Sequence, residues 1–464
     1  MNPSEVWAQS SSYPARAGNA LELYVDGQAA FAAIADAIRQ AKQYVYATFA
    51  YIEPKFCLEP DKTNTTILQL LSIMAKSGVD VRILIWSPET KTPGTIPDSD
   101  SSKLFDINAG QGTIKARWDV AIPPFIGCHH QKSFVIDGQI AFVGGINSLQ
   151  AYWDTNEHVP DDLRRLPFDV KQPMSESAFA NVPPLHDLFG HIQGFCVNDV
   201  EANFCERWNN ATYKHSNNQN NDVIPHTGAV ANEANLTLQI TRTLAPLTYH
   251  TKPSGETSIR ETYLKAINAA EHMIYFENQY YFDDDVDRAI LDAAKKGVKV
   301  IGLLCLKPDE NTSLGFVEKA IEDIGKTMDD FDNYFTHNNI ILFSPVKAMN
   351  DPLTNNYIYT DIYVHAKLLI VDDQFMTLGS ANISNTSMQF HSEMNLVAND
   401  TSKVRLLHKQ LWEEHFQRSL TDMQLFDPNT AVNLWNEDAK QNFQARNSSQ
   451  KPVSRVYPFT KVLR

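Results

Sequence analysis

Two stretches of the chain repeat one arrangement of reactive residue types. Residues 129–138 read HHQKSFVIDG and residues 364–373 read VHAKLLIVDD. His130, Lys132 and Asp137 thus recur as His365, Lys367 and Asp372, both in the spacing HxKxxxxD. In a chain of this composition one such match arises by chance with odds of roughly one in twenty, and two with odds of about one in a thousand. Histidine can attack an electrophile or carry a proton near neutrality, and a nearby lysine offers a compact positive charge to an anionic group. The sequels also agree: FVIDGQIAFVGGIN and LIVDDQFMTLGSAN run into Asn147 and Asn382.

The pattern around each copy predicts the elements that hold it. Both read as strand, tight turn, strand and a glycine-containing loop, with Asp-Gly and Asp-Asp at the turn. Side chains alternate along a strand, so His130 and Lys132 are expected on one face, as are His365 and Lys367. Asp137 and Asp372 have the opposite parity and sit at the turns. They read as structural acids or ion-pair partners rather than proton carriers.

Upstream, each half repeats helix–strand–helix–strand. In the first half the helices are expected at 31–41 and 67–76, with strands at 44–51 and in GVDVRILIW. In the second, SIRETYLKAINAAEHMIYFEN and VDRAILDAAKKGVKVIGLLCL repeat the order. Gly78 and Gly297 follow the helix ends, where left-handed caps favour glycine. This alternation predicts an α/β protein with mixed sheets. The repeats are placed at 20–210 and 237–420, with an Asn-rich linker or loop at 211–236 and a C-terminal extension at 421–464. Residues 152–184 read as a long irregular loop near the site. The aromatic run Tyr275–Phe282 reads as a buried strand ending at the site, with lipid contact by Tyr280 or Tyr281 as an alternative. His129 and His391 are read as neighbours of the reactive histidines.

Composition narrows the function classes. The 464 residues are 43% hydrophobic and 20% charged, enough apolar material for two cores. A formal net charge of -15 argues against a dedicated nucleic-acid binder. Cys57, Cys128, Cys196, Cys205 and Cys305 form no CxxC pair and read as reduced thiols. Neither a signal peptide nor an apolar run of about 18 residues is recognisable, so any meeting with lipid is expected to be peripheral. The basic residues Lys440, Arg446, Lys451, Arg455, Lys461 and Arg464 read as a solvated tail or as a membrane-facing patch.

Paired HxKxxxxD motifs followed by GG or GS and then Asn resemble the phospholipase D superfamily. IYFENQYYF, HDLFGHIQGFCVNDVEANFCERWN, the helix carrying Trp412 and the closing PVSRVYPF are similar to further segments of its bacterial and eukaryotic-type members. The resemblance covers the chain from about Leu21 onward. It implies a duplicated phospholipase D fold, two mixed-sheet domains flanked by helices with the active site at their interface. It implies His130 as nucleophile, His365 as general acid and base, and Lys132, Lys367, Asn147 and Asn382 as the phosphate cradle. Metal and other cofactors are not required, since the lysines supply the positive charge. Each histidine needs an orienting carboxylate. For the second repeat the resemblance offers Glu393, and for the first Asp187, although Asp154, Glu157, Asp161 and Asp169 lie closer to the first motif in sequence. Where the family often has Asn-x-Arg-Ser after GSAN, this chain reads ISNTSMQF.

The implied activity is hydrolysis of phosphatidylcholine- or phosphatidylethanolamine-type lipids to phosphatidic acid at a membrane surface. Transfer to an alcohol would compete with water. The alternatives are a phosphatidyltransferase such as a cardiolipin or phosphatidylserine synthase and, more remotely, a nuclease. A monomer is expected, acting in the cytoplasm or exported without a signal peptide, as bacterial effectors of this family are.

Overall fold

The computed structural model describes residues 6–53, 55–86, 114–119, 127–166, 182–211, 213–214, 222–305 and 339–459. Each half contributes strands in the same spatial order. In the first half, Lys115–Asp119, Asp80–Trp86 and Tyr44–Phe49 pair in parallel, the last two joined through the helix Ile67–Lys76. Ser133–Ile136, Ile140–Gly144, Leu188–Gly194 and Arg16–Val25 then continue antiparallel. The second half repeats this with Ile340–Asn350, Lys299–Leu304 and Met273–Asn278 in parallel. Lys367–Val371, Phe375–Gly379, Glu393–Asn399 and Leu236–Leu244 follow antiparallel. Arg16–Val25 and Leu236–Leu244 pair with each other through Arg16↔Leu238 and Asn19↔Leu236. The two half-sheets therefore meet at a seam related by an approximate two-fold.

The helices follow the apolar pattern. Gly27–Gln40 and Ile67–Lys76 cover the outer face of the first half-sheet, burying Phe31, Ile34, Leu68 and Leu71 against Ile83 and Phe134. Thr66 and Gln69 close a capping box at the start of the second of these. Ser258–Asn268 and Asp284–Lys295 cover the second half in the same way, with Asp283 as N-cap of the latter. A central core joins the halves: Leu188, Ile192 and Val143 share one cluster with Met376, Leu378 and Leu396. Gly190 lies where an added Cβ would come within 3.0 Å of the Leu396 side chain. Cys196–Asn210 and Thr401–Phe416, following equivalent strands, bury Trp208 and Trp412 in this shared core. Gly78 and Gly297 both take φ +100°, in the left-handed half of the map that the helix ends require.

Within the stretch read as a linker or loop, Tyr213–Lys214 form a short strand against Lys115–Asp119, and residues 222–235 carry no helix or strand. The stretch from Thr421 differs from its weak sequence signal. Pro428–Asn447 is a helix with an N-cap at Asp427, and its Trp435 is fully buried against Tyr275, Phe343 and Trp412. Val456–Pro458 then adds a strand to Ile340–Asn350. Of the expected basic tail, Arg455 is buried near Glu414, and Arg446 lies over the rings of Tyr359 and Tyr457. Lys440 and Lys451 are exposed, and Lys461 and Arg464 lie outside the described residues. This segment is part of the core because its few large side chains complete the packing around Tyr275. No described helix is long and apolar enough to cross a membrane.

Candidate active site

Both motifs enter the sheet through the same device. The regular strands open at Ser133 and Lys367, so His130, Lys132 and His365 precede the ladder rather than lying within it. This corrects the reading of HHQKSFVIDG as one strand. The segments are instead held by bonds across the seam: the carbonyl of Ser392 accepts from His130 N–H at 2.9 Å, and that of His186 accepts from His365 N–H at 2.8 Å. Alternation survives nonetheless. Gln131 turns away and binds Asn203 Nδ2, Arg207 Nη1 and the carbonyl of Glu393.

The residue after each gripping carbonyl supplies the carboxylate. Glu393 accepts from His130 Nδ1 at 3.1 Å, and Asp187 accepts from His365 Nδ1 at 2.6 Å. The acids are thus exchanged with respect to the sequence assignment, each half orienting the histidine of the other. Glu393 opens its strand and Asp187 immediately precedes the equivalent one, Leu188–Gly194, at the interface. Gly145 makes room for Asp187, because a Cβ there would lie 2.3 Å from Asp187 Oδ1. Of the other acids considered for the first motif, Asp154 binds His158, Arg165 and the amide of Leu185. Glu157 reaches Lys347 at the surface, Asp161 is exposed, and Asp169 lies outside the described residues.

Lys132 Nζ donates to the carbonyl of His130 at 2.8 Å, and Lys367 Nζ donates to that of His365 and, at 3.4 Å, to Gln279 Oε1. Asn382 Nδ2 also reaches Gln279 Oε1 at 3.4 Å. Asn147 Oδ1 and Asn382 Oδ1 are buried without hydrogen-bond partners among the described residues. Tyr152 stands edge-on to the His365 ring, with centroids 4.9 Å apart. Asp137 and Asp372 are not part of this cluster. Each sits in left-handed conformation at its hairpin (φ 52° and 51°) and accepts three backbone amides. Asp137 takes Lys42, Gln43 and Tyr44, and Asp372 takes Glu271, His272 and Met273, at 2.7–2.9 Å. They fix the hairpin to the neighbouring helix–strand turn.

Burial dominates the electrostatics. It lowers His130 to about 4, with help from Lys132 and against Glu393, and it takes His365 well below the imidazole range. Burial also brings Lys132 down to about 7 and Lys367 down to about 8. It raises Asp187 to about 7, against the pull of Lys367. Burial opposes the charge of Glu393 too, but His130 and His391 outweigh it and hold Glu393 well below the usual carboxylate range. A neutral His130 giving its Nδ1–H to an ionised Glu393 presents Nε2 as a free lone pair. Sequence reasoning missed Gln279, Ser380, Ser387 and the contribution of His391. The polar run Glu277-Asn278-Gln279, buried in an otherwise apolar strand, was a visible signal for the first of these.

The family model described as Phospholipase D matches residues 37–287, and one described as Cardiolipin synthase, PLD-like domain, matches residues 263–418. The chain belongs to the phospholipase D family. It is 26% identical over 84% of its length to Phospholipase D A of Dictyostelium discoideum, of which it spans 33%. It is 22% identical over 88% of its length to Cardiolipin synthase 1 of Staphylococcus epidermidis, covering 70% of that protein. The chain thus spans about a third of the length of the Dictyostelium protein and most of the synthase. Among solved structures, phosphatidylserine synthase of Haemophilus influenzae superposes with a TM-score of 0.57 over 92% of this chain and 94% of that one, at 13% identity. That likeness concerns the fold.

Proposed function

We propose that the chain is a phospholipase D that hydrolyses glycerophospholipids to phosphatidic acid and free head group. The observation that carries this is the crossed pair His130–Glu393 and His365–Asp187 around two buried lysines. A phosphodiester is anionic and a poor electrophile, so it needs a neutral nucleophile and fixed positive charge. His130 Nε2 attacks phosphorus, and the bond to the head-group oxygen breaks. A protonated His365 gives its proton to that oxygen. Phosphate binding supplies the negative charge that favours protonation of Lys132, Lys367 and His365. The amides of Asn147 and Asn382 donate to the phosphoryl oxygens. In the second step His365 takes a proton from water, whose oxygen attacks phosphorus, and the P–N bond to His130 breaks.

An alcohol can replace water in that step, so a phosphatidyltransferase reading shares every step but the last acceptor. The similarity to cardiolipin synthases over most of their length keeps it in view. The test is purified protein with vesicles of phosphatidylcholine, phosphatidylethanolamine or phosphatidylglycerol, with and without ethanol, and a DNA control. Phosphatidic acid, joined by phosphatidylethanol when ethanol is present, is the expected result. Cardiolipin without phosphatidic acid would overturn the hydrolase reading in favour of transfer.

A further inference from the structure

Behind the segment that carries Asp187 lies a second buried cluster that the reaction does not use. Asp26, His158, His186 and Glu414 come from four different elements and converge. His186 Nδ1 lies 2.9 Å from Asp26 Oδ1 and 3.6 Å from Glu414 Oε1. His158 Nε2 lies 3.0 Å from the same Glu414 oxygen and 3.5 Å from Asp26 Oδ2. A tetrahedron with metal–ligand bonds of about 2.0–2.1 Å has edges of about 3.3 Å. The four histidine–carboxylate spacings lie on either side of that value, His186 and His158 meeting different oxygens of Asp26, and one donor atom from each of the four residues lies within 4.8 Å of the others.

Three further observations point the same way. Asp26 is 1% exposed, and its Oδ2 has no hydrogen-bond partner among the described residues although it faces the cluster. Both histidines have their other ring nitrogen fixed by a carboxylate: Asp154 Oδ2 at 3.1 Å from His158 Nδ1, and Glu277 Oε2 at 2.9 Å from His186 Nε2. That is the outer shell that metal-bound imidazoles usually have. Charge also fails to balance with neutral imidazoles. Asp26, Asp154, Glu277 and Glu414 face two guanidiniums, Arg165 on Asp154 and Arg455 3.6 Å from Glu414, leaving two negative charges. One divalent cation cancels them. A pocket of about 710 Å³, lined by Asp26, Gln28, Asp154, Asn156, Glu413 and Glu414, gives an ion a way in.

The adjoining trio His186, Glu277 and His415 is a poorer site. Both Glu277 oxygens are already engaged, by His186, His415 and Tyr275.

We infer that Asp26, His158, His186 and Glu414 form a structural zinc site. Two imidazoles and two carboxylates converging within 4.8 Å make a full set of four ligands, which suits that ion and a non-catalytic role. The ion ties the end of the first strand, the loop after Tyr152, the short strand Leu185–His186 and the Thr401–Phe416 helix to one point. It also steadies the segment whose His186 carbonyl grips His365.

The test is zinc content of untagged protein by mass spectrometry, together with thermal unfolding in added Zn²⁺ or chelator and the visible spectrum of the cobalt-substituted protein. One zinc per chain, a Tm raised by several degrees with Zn²⁺, and the intense bands of tetrahedral Co²⁺ are expected. His130→Ala combined with His365→Ala should keep all three, whereas Asp26→Asn and His158→Gln should each lose them. Wild-type protein that neither carries nor is stabilised by zinc would show instead that two imidazole protons balance the charge. Zinc that leaves with the reactive histidines, and not with Asp26 or His158, would also overturn the inference. These readouts do not depend on the lipid reaction.

Discussion

The two histidine–carboxylate pairs are built from equivalent elements but stand in different surroundings. Glu393 accepts from His130, Ser380 Oγ at 2.5 Å, Ser387 Oγ at 2.9 Å and His391 Nδ1 at 3.3 Å, and it stays ionised. Asp187 accepts from His365 and from the amide of Leu188, and burial raises it to about 7. A firmly ionised acid stabilises the positive imidazole of a phosphohistidine. An acid that readily takes a proton gives its histidine less support as a cation and makes it a better proton donor. The two pairs share symmetry of position, while the neighbours of each carboxylate give the two acids different charge states.

The largest test of this division removes the histidines. His130→Ala and His365→Ala should each lower kcat about 10⁴-fold with the fold intact. A diester with a nitrophenol leaving group needs no proton, so it should recover most of the loss in His365→Ala and little in His130→Ala. Recovery in the opposite variant would exchange the roles. Next come the acids: Glu393→Gln and Asp187→Asn should each cost about 10²–10⁴-fold. Of these two variants, only Asp187→Asn should remove one of the ionisations near pH 7 from the profile of kcat/KM.

In the proposed reaction the lysines act through their charge, which is present below the folded pKa and lost as pH rises through it. With Lys132 at about 7 and Lys367 at about 8, kcat/KM should fall on the alkaline side in two overlapping steps. Between those values and the ordinary lysine value of 10.5 the unfolded chain binds more protons, so stability rises with pH across that window. Lys132→Met should accordingly raise Tm near neutral pH while abolishing turnover, and a lowered Tm would show that the cation supports the fold. The smallest effects belong to the turns. Asp137→Asn and Asp372→Asn should each cost about 1–3 kcal/mol in denaturant unfolding and leave activity per folded molecule unchanged. A marked inequality between them would break the equivalence of the two hairpins.

Much of this was legible in one dimension. The helix at 67–76, the paired motifs and the turn role of Asp137 and Asp372 follow from spacing alone, because each depends on neighbours in sequence. The exchange of Glu393 and Asp187 does not, since it depends on which strand ends point across the seam. The cluster of Asp26, His158, His186 and Glu414 was equally hidden. Its members are spread over nearly the whole chain and have no common spacing. Arg455 reads as a tail charge until the packing of Trp435 carries the chain back into the core.

The crossed carboxylates bear on the ancestry of the fold. A chain of half this length, carrying one motif and one acid, could not complete a site by itself. Paired with a copy of itself about a two-fold axis, it would complete two histidine–acid couples at once, both alike. Within one chain each couple is free of the other's constraints. The serines and the extra histidine gathered around Glu393, with no counterpart at Asp187 among the described residues, are a difference of the kind that freedom allows.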